Sequence, residues 1–238
     1  MTIIDDDDSG IMGGPMESRE VHFIWILDCS SSMTMNGKIS ALNFAIREAL
    51  PAMQSVAEAH PVTRLMVRTA TFSDGARWLG TTPAPIDTFT WKDLSADGGT
   101  DMGHAFKLVA DFFRSGMPRR AMPPVLALIS DGQPTDDWRS GLRAIDGTDW
   151  GRKAVRIAVA IGDDADKAMM QVFLGNDERR VLTSHNAHEL AAQIRWASTE
   201  AFGSASRGNQ TNGRQTSIPP ATGRSVPSDS EFLDGDVF

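Results

Sequence analysis

Asp28-Cys29-Ser30-Ser31-Ser32-Met33 follows directly on the apolar run Val21-His22-Phe23-Ile24-Trp25-Ile26-Leu27, and this junction decides the fold. A strand that ends on Asp and opens into a Ser-rich turn places a carboxylate and two hydroxyls at one edge of a sheet. Asp28, Ser30 and Ser32 alternate, so a curled loop can aim all three inward. Hard oxygen ligands with few charges suit a Mg²⁺-type cation, which takes an octahedral shell at roughly 2.0–2.1 Å and keeps several waters. Ser and Asp are also favoured at helix N-termini. Taken alone, this segment fits a helix cap as well as a metal loop.

The pattern continues outward as short apolar runs alternating with helical periodicity. Ile39, Leu42, Ile46, Leu50, Met53 and Val56 recur at spacings of three and four and predict an amphipathic helix, with Pro51 expected to kink or shorten it. Arg64–Phe72 reads as a second strand. Arg77–Gly80 follows through Ser73-Asp74-Gly75-Ala76, a connection so short that it requires an antiparallel hairpin. Met102–Phe113 reads as a helix. Val125–Ile129 is a continuous apolar run ending at Ser130-Asp131-Gly132, as expected of a buried central strand. Trp138–Ile145, Ala165–Leu174 and Ala187–Phe202 read as helices, Ala154–Ile161 as a buried strand and Arg180–Thr183 as a short edge strand. Strands alternating with helices predict an α/β domain: a Rossmann-like, doubly wound, mostly parallel sheet with one antiparallel edge strand and helices on both faces.

The 238 residues accommodate this one domain, residues 20–203, and two tails. Residues 1–19 read as a flexible leader carrying the block Asp5-Asp6-Asp7-Asp8. From Ser204 to 238 the composition turns polar, too poor in apolar residues to form a core. Asp229 to Phe238 mixes acidic and large apolar residues and resembles a short linear interaction motif. A net charge of −8 argues against a nucleic-acid surface, which needs a basic patch. Cys29 is the only cysteine, so no internal disulfide can form, which suits a reducing compartment. The thiol reads as a small filler beside the serines or, less simply, as a reactive group at a helix start. No apolar run nears the roughly 20 residues that span a bilayer, and no secretory signal is visible. The expected location is the cytoplasm, with no membrane contact.

In doubly wound sheets ligands bind beyond the carboxyl ends of the strands, where the strand order reverses. Two central strands here end at Asp28 and Asp131. Between them in sequence lies Asp97-Gly98-Gly99-Thr100-Asp101, a Gly-rich turn that can present Thr100 to the same rim. Asp28, Ser30, Ser32, Thr100 and Asp131 are thus the expected metal ligands, for Mg²⁺ or else Mn²⁺ or Ca²⁺. Two carboxylates balance a divalent ion, and three hydroxyls leave it electrophilic toward an acidic group from a partner. Asp136 and Asp137 either tune the metal from outside or cap the helix starting at Trp138. Trp138 itself either packs at the core edge or lines the binding face. His22, His60, His104, His185 and His188 show no zinc spacing with cysteine. There is no nucleophile elbow and no phosphate-binding loop with lysine.

These residues resemble a von Willebrand factor A (VWA) domain with a metal-ion-dependent adhesion site (MIDAS). Asp28, Ser30 and Ser32 match its Asp-x-Ser-x-Ser pattern, Thr100 its second-loop threonine and Asp131 its third-loop aspartate. Ser31 departs from the family, which usually has Gly there. A Gly permits φ > 0 freely, whereas Ser must pay for it or adopt another turn. Ser130-Asp131-Gly132-Gln133-Pro134-Thr135-Asp136-Asp137-Trp138, Gly141-Leu142 and Arg195-Trp196-Ala197-Ser198 are similar to tellurium-resistance-type bacterial VWA proteins. That resemblance implies a non-enzymatic scaffold or regulator in a stress or defence phosphorylation system, beside a protein-phosphatase-2C-like phosphatase and a Ser/Thr kinase. The alternatives are a VWA substrate adaptor of an AAA+ ATPase and, further off, a Mg²⁺-dependent hydrolase with Asp28 as nucleophile. The hydrolase lacks its second acid, because Ser30 stands in that place.

Overall fold

The computed structural model describes residues 18–175 and 178–206. The acidic block and the acidic-apolar terminus expected from sequence lie outside them. The chain runs β1 (Arg19–Asp28), a 3-10 segment (Ser31–Gly37), α1 (Lys38–Glu58), β2 (Thr63–Ser73), β3 (Gly75–Pro85), α2 (Met102–Ser115) and β4 (Val125–Ser130). It continues through α3 (Trp138–Asp146), α4 (Asp149–Lys153), β5 (Val155–Ile161), α5 (Lys167–Leu174), β6 (Leu182–Ser184) and α6 (Ala187–Ser206). The strands form one sheet in the order β3-β2-β1-β4-β5-β6. Only the β2/β3 pair is antiparallel, as the short Ser73–Ala76 connection requires. The fold expected from the sequence is the fold observed.

Strand β1 is buried from Val21 to Asp28, so both faces of the sheet are covered. Val21, Phe23, Trp25 and Leu27 pack with buried residues of α1 and α6. Ile24 and Ile26 pack with α2, α3 and α5. Burial on both sides is why this strand reads as an unbroken apolar run and not as an alternation. Each fully buried Ile, Leu or Phe contributes about 1.5–3 kcal/mol.

Pro51 does not shorten α1, which continues to Glu58. Its buried face, including Ala41, Leu42, Ala45, Ile46, Ala49 and Met53, extends past the proline on both sides. Packing along that stripe offsets the roughly 3 kcal/mol that an interior proline costs. The edge strand β6 lies at Leu182–Ser184, two residues later than its expected start at Arg180.

The order of the sheet fixes the site. From β1 the chain moves outward to β2 and β3, then returns to place β4 on the other side of β1. Strands β1 and β4 pair in parallel from Phe23↔Val125 to Leu27↔Ile129. Their carboxyl ends therefore lie side by side at the point where the strand order reverses.

Candidate metal centre

Asp28 closes β1 and is fully buried. One carboxylate oxygen, Oδ1, accepts the Ser30 N–H at 2.8 Å. The other accepts the Ser130 hydroxyl in a short hydrogen bond. Among the described residues no cationic side chain bonds to it. Burial pushes its pKa up to about 6; the bonds from Ser130 and Ser30 oppose the rise, and the Asp131 charge adds to it. A buried carboxylate without a counter-charge favours a cation nearby.

Ser30 and Ser32 join their hydroxyls at 3.0 Å, and Ser32 Oγ donates to Asp131 Oδ1 at 2.8 Å. Asp131, also fully buried, follows the last residue of β4. A Cβ placed on the next residue, Gly132, would sit 3.5 Å from Ser32 Oγ and 3.8 Å from both Asp28 Oδ2 and Thr100 Cγ2. The three loops therefore converge around Gly132, and the five residues expected from sequence are brought together. The Thr100 N–H donates to Thr135 Oγ1 at 3.0 Å, and its carbonyl accepts the Thr135 N–H at 3.0 Å. Its hydroxyl has no hydrogen-bond partner among the described residues. The donor set, two carboxylates and three hydroxyls, is all hard oxygen and fits a divalent cation of the Mg²⁺, Mn²⁺ or Ca²⁺ kind.

The loop that delivers Thr100 is pinned from two sides. Gly98 adopts φ +80, and its carbonyl accepts both the Ser31 N–H at 3.0 Å and the Ser31 hydroxyl at 2.8 Å. Any Cβ on Gly98 would press to 2.8 Å of the Asp74 carboxylate, which in turn accepts the Gly99 N–H at 2.7 Å. Ser31 itself is not in the left-handed region, since Asn36 is the only non-glycine with positive φ among the described residues. Ser31 therefore carries no left-handed strain, and the hydroxyl that a glycine lacks ties the first loop to the second.

Cys29 is buried, and burial pushes its thiol up to about 12. It is the small filler, not a reactive thiolate. Trp138 is buried with the α2 and α3 side chains and belongs to the core edge.

Three residues of the site were not anticipated. Ser130 bonds Asp28, and its position inside Ser130-Asp131-Gly132 was the available signal. Lys38 Nζ donates to Asp131 Oδ2 at 2.8 Å and to both Asp164 oxygens at 3.2 Å. The signal for Lys38 was a cation in the first turn of a helix, where the macrodipole disfavours it. Burial works against its charge, but the bonds to and charges of Asp131 and Asp164 outweigh that and hold its pKa above the ordinary lysine value.

A second acidic group lies beside the site. Asp101, His104 and Asp136 bring ligand atoms within 4.8 Å of one another. The Asp136 carboxylate accepts the Gly103 and His104 N–H groups at 2.8 and 2.9 Å. Asp101 accepts the Gly75 N–H at 2.9 Å and the Thr135 hydroxyl at 3.2 Å. Asp137 caps α3 through the Ser140 N–H at 3.0 Å. Of the two residues that could either cap this helix or act on a metal from outside, Asp137 caps the helix at Trp138, and Asp136 reaches back to the start of α2.

No protein-family model matches the chain, and no curated protein matches it significantly by sequence. Solved structures do match. A von Willebrand factor type A protein from Catenulispora acidiphila aligns at 18% identity and TM-score 0.60, over 78% of this chain and 43% of that one. The pilus adhesin SpaC from Lactobacillus rhamnosus GG aligns at 12% and TM-score 0.61, over 77% and 31%. Proximal thread matrix protein 1 from the mussel byssus, solved with a zinc-occupied MIDAS motif, aligns at 17% and TM-score 0.53, over 78% and 46%. The chain spans less than half the length of each. The likeness establishes the VWA fold. No helix among the described residues is long and apolar enough to cross a membrane.

Proposed function

We propose that this chain is a non-enzymatic, divalent-metal-dependent protein-binding module. The observation that carries the reading is the convergence of the Asp28, Thr100 and Asp131 loops around Gly132, with a buried, unpaired carboxylate and an unengaged hydroxyl in the cluster. Asp28, Ser30, Ser32, Thr100 and Asp131 would hold the ion, Mg²⁺ or else Mn²⁺ or Ca²⁺. When bound, the ion supplies an electrophilic position for an acidic side chain of a partner. The residues themselves do the orienting: Ser130 and the Ser30 N–H fix the Asp28 carboxylate, and Ser31 fixes the Thr100 loop through Gly98.

The partner we propose is a protein-phosphatase-2C-like phosphatase, a Ser/Thr kinase, or both, in a cytoplasmic bacterial stress or defence circuit. The support is the resemblance of Ser130–Trp138 and Arg195–Ser198 to tellurium-resistance-type proteins. Genes for such a phosphatase and kinase beside this one would support the placement, and an AAA+ ATPase gene there would point to the adaptor reading instead. The direct test is capture of the phosphatase and kinase by this chain with and without chelator. Binding should fall in chelator and with Asp28→Ala; capture unchanged by both removes the metal from the mechanism.

A further inference from the structure

Lys38 is the first residue of α1 and only 3% exposed. A lysine here opposes the helix dipole and loses its hydration. Such a residue persists where a specific anion holds it, and two do. Asp131 Oδ2 accepts its ammonium at 2.8 Å, and Asp164, on the β5–α5 loop, accepts at 3.2 Å through each oxygen. The two oxygens of Asp131 are thereby divided. Oδ1 accepts from Ser32 within the ligand cluster, and Oδ2 faces the lysine. Asp164 is 67% exposed on its side chain and covers the ammonium from the solvent side. A Cβ on Gly162 would lie 2.9 Å from Asp164 Oδ1 and 3.6 Å from Lys38 Cε, so glycine admits this approach of loop to lysine.

We propose that the Lys38 ammonium is a built-in counter-cation of the site. It holds the Asp131 and Asp164 loops together whether or not a divalent ion is bound, and by neutralising one of the two buried carboxylates it lowers the site's affinity for that ion. The inference rests on the metal-site reading above and adds a term to it: the affinity is set by a residue that is not a ligand. Lys38 is a positioning residue, and Asp164 governs how much of its charge reaches Asp131. The two should therefore act in opposite directions, because removing the lysine charge leaves Asp131 unneutralised, whereas removing the Asp164 charge leaves the lysine more strongly positive toward the ion.

The test is calorimetric titration of the chelator-treated full chain with Mg²⁺ and Mn²⁺, in wild type, Lys38→Met, Asp164→Asn and Asp28→Asn, with thermal melting in EDTA and in Mg²⁺. Lys38→Met should bind on the order of tenfold more tightly, melt lower in EDTA and recover in Mg²⁺. Asp164→Asn should bind severalfold more weakly. Asp28→Asn should not bind. A merely structural lysine would weaken binding when removed, so affinity unchanged or lower in Lys38→Met overturns the proposal while leaving the metal site standing. Binding by Lys38→Met alone, with none by wild type, supports it in its strongest form. Absence of binding in both overturns the metal reading and the proposal together. Should Lys38→Met not fold, the exposed Asp164→Asn decides, and affinity equal to wild type overturns the proposal.

Discussion

Two clusters of the same chemistry lie a few residues apart, and they differ in what their oxygens hold. Around Gly132, Asp28 and Asp131 are fully buried; Asp28 accepts from the Ser30 N–H and the Ser130 hydroxyl, and Asp131 from the Ser32 hydroxyl and the Lys38 ammonium. Beside α2, Asp136 accepts two backbone N–H groups and lies 3.0 Å from His104 Nδ1, while Asp101 accepts one N–H and the Thr135 hydroxyl. A carboxylate that accepts two N–H groups at a helix start completes the helix and has its charge offset by the dipole. Asp28 completes no such helix start and bonds to no cationic side chain among the described residues, and a hydroxyl such as that of Ser130 can turn its proton away and offer a lone pair. On the reading proposed above, proximity of acidic residues is not enough to make a metal site; the donors facing them decide.

That contrast can be broken by exchange of function. Asp28→Asn should cost divalent-ion affinity more than the roughly 10- to 100-fold typical of outer-shell changes, read by calorimetry, while melting in EDTA stays level or rises. The pH profile sharpens the same point. Burial raises Asp28 from 3.8 to about 6, so the folded chain keeps a proton that the unfolded chain has released. Stability from this group is full below about pH 4 and is lost as pH rises through about 6. In chelator, denaturant midpoints should show this fall, and both Asp28→Asn and added Mg²⁺ should flatten it.

Asp136→Ala should do the reverse of Asp28→Asn. Loss of two acceptors at the start of α2 should lower stability by about 1–2 kcal/mol, with ion affinity retained. Thr100→Val keeps the shape and removes the hydroxyl, so ion affinity should drop on the order of tenfold with stability within about 0.5 kcal/mol of wild type. The smallest effect belongs to Ser31→Ala. Loss of the hydroxyl bond to Gly98 should cost about 0.5–1.5 kcal/mol, measured by chemical denaturation.

Much of this was legible in the chain. Strand β1 announced itself because both its faces are buried, and α1 because its apolar residues keep one helical face. The loops that converge at Gly132 were legible because Asp28-x-Ser30-x-Ser32, Thr100 and Asp131 each follow or precede a readable element. Helix α4 was not, since five residues, Asp149–Lys153, are too short to show a period. The start of β6 shifted because three residues on a sheet edge carry little pattern. Lys38 could be flagged as a misplaced cation at a helix start, but its role in the site was hidden for a different reason. Its partners stand 93 and 126 residues away, and only the β1–β4–β5 adjacency brings them to it. Asp136 likewise lies next to a helix that it could have capped, yet bonds one 33 residues earlier.

The burial of Cys29 has a practical consequence. It is the sole thiol of the chain, and with burial pushing it up to about 12 it carries almost no thiolate at neutral pH. A maleimide dye or spin label offered to the folded protein will therefore find a cysteine introduced on the rim and ignore the native one. Distances between loops can be followed by spectroscopy without first altering the residue that adjoins Asp28.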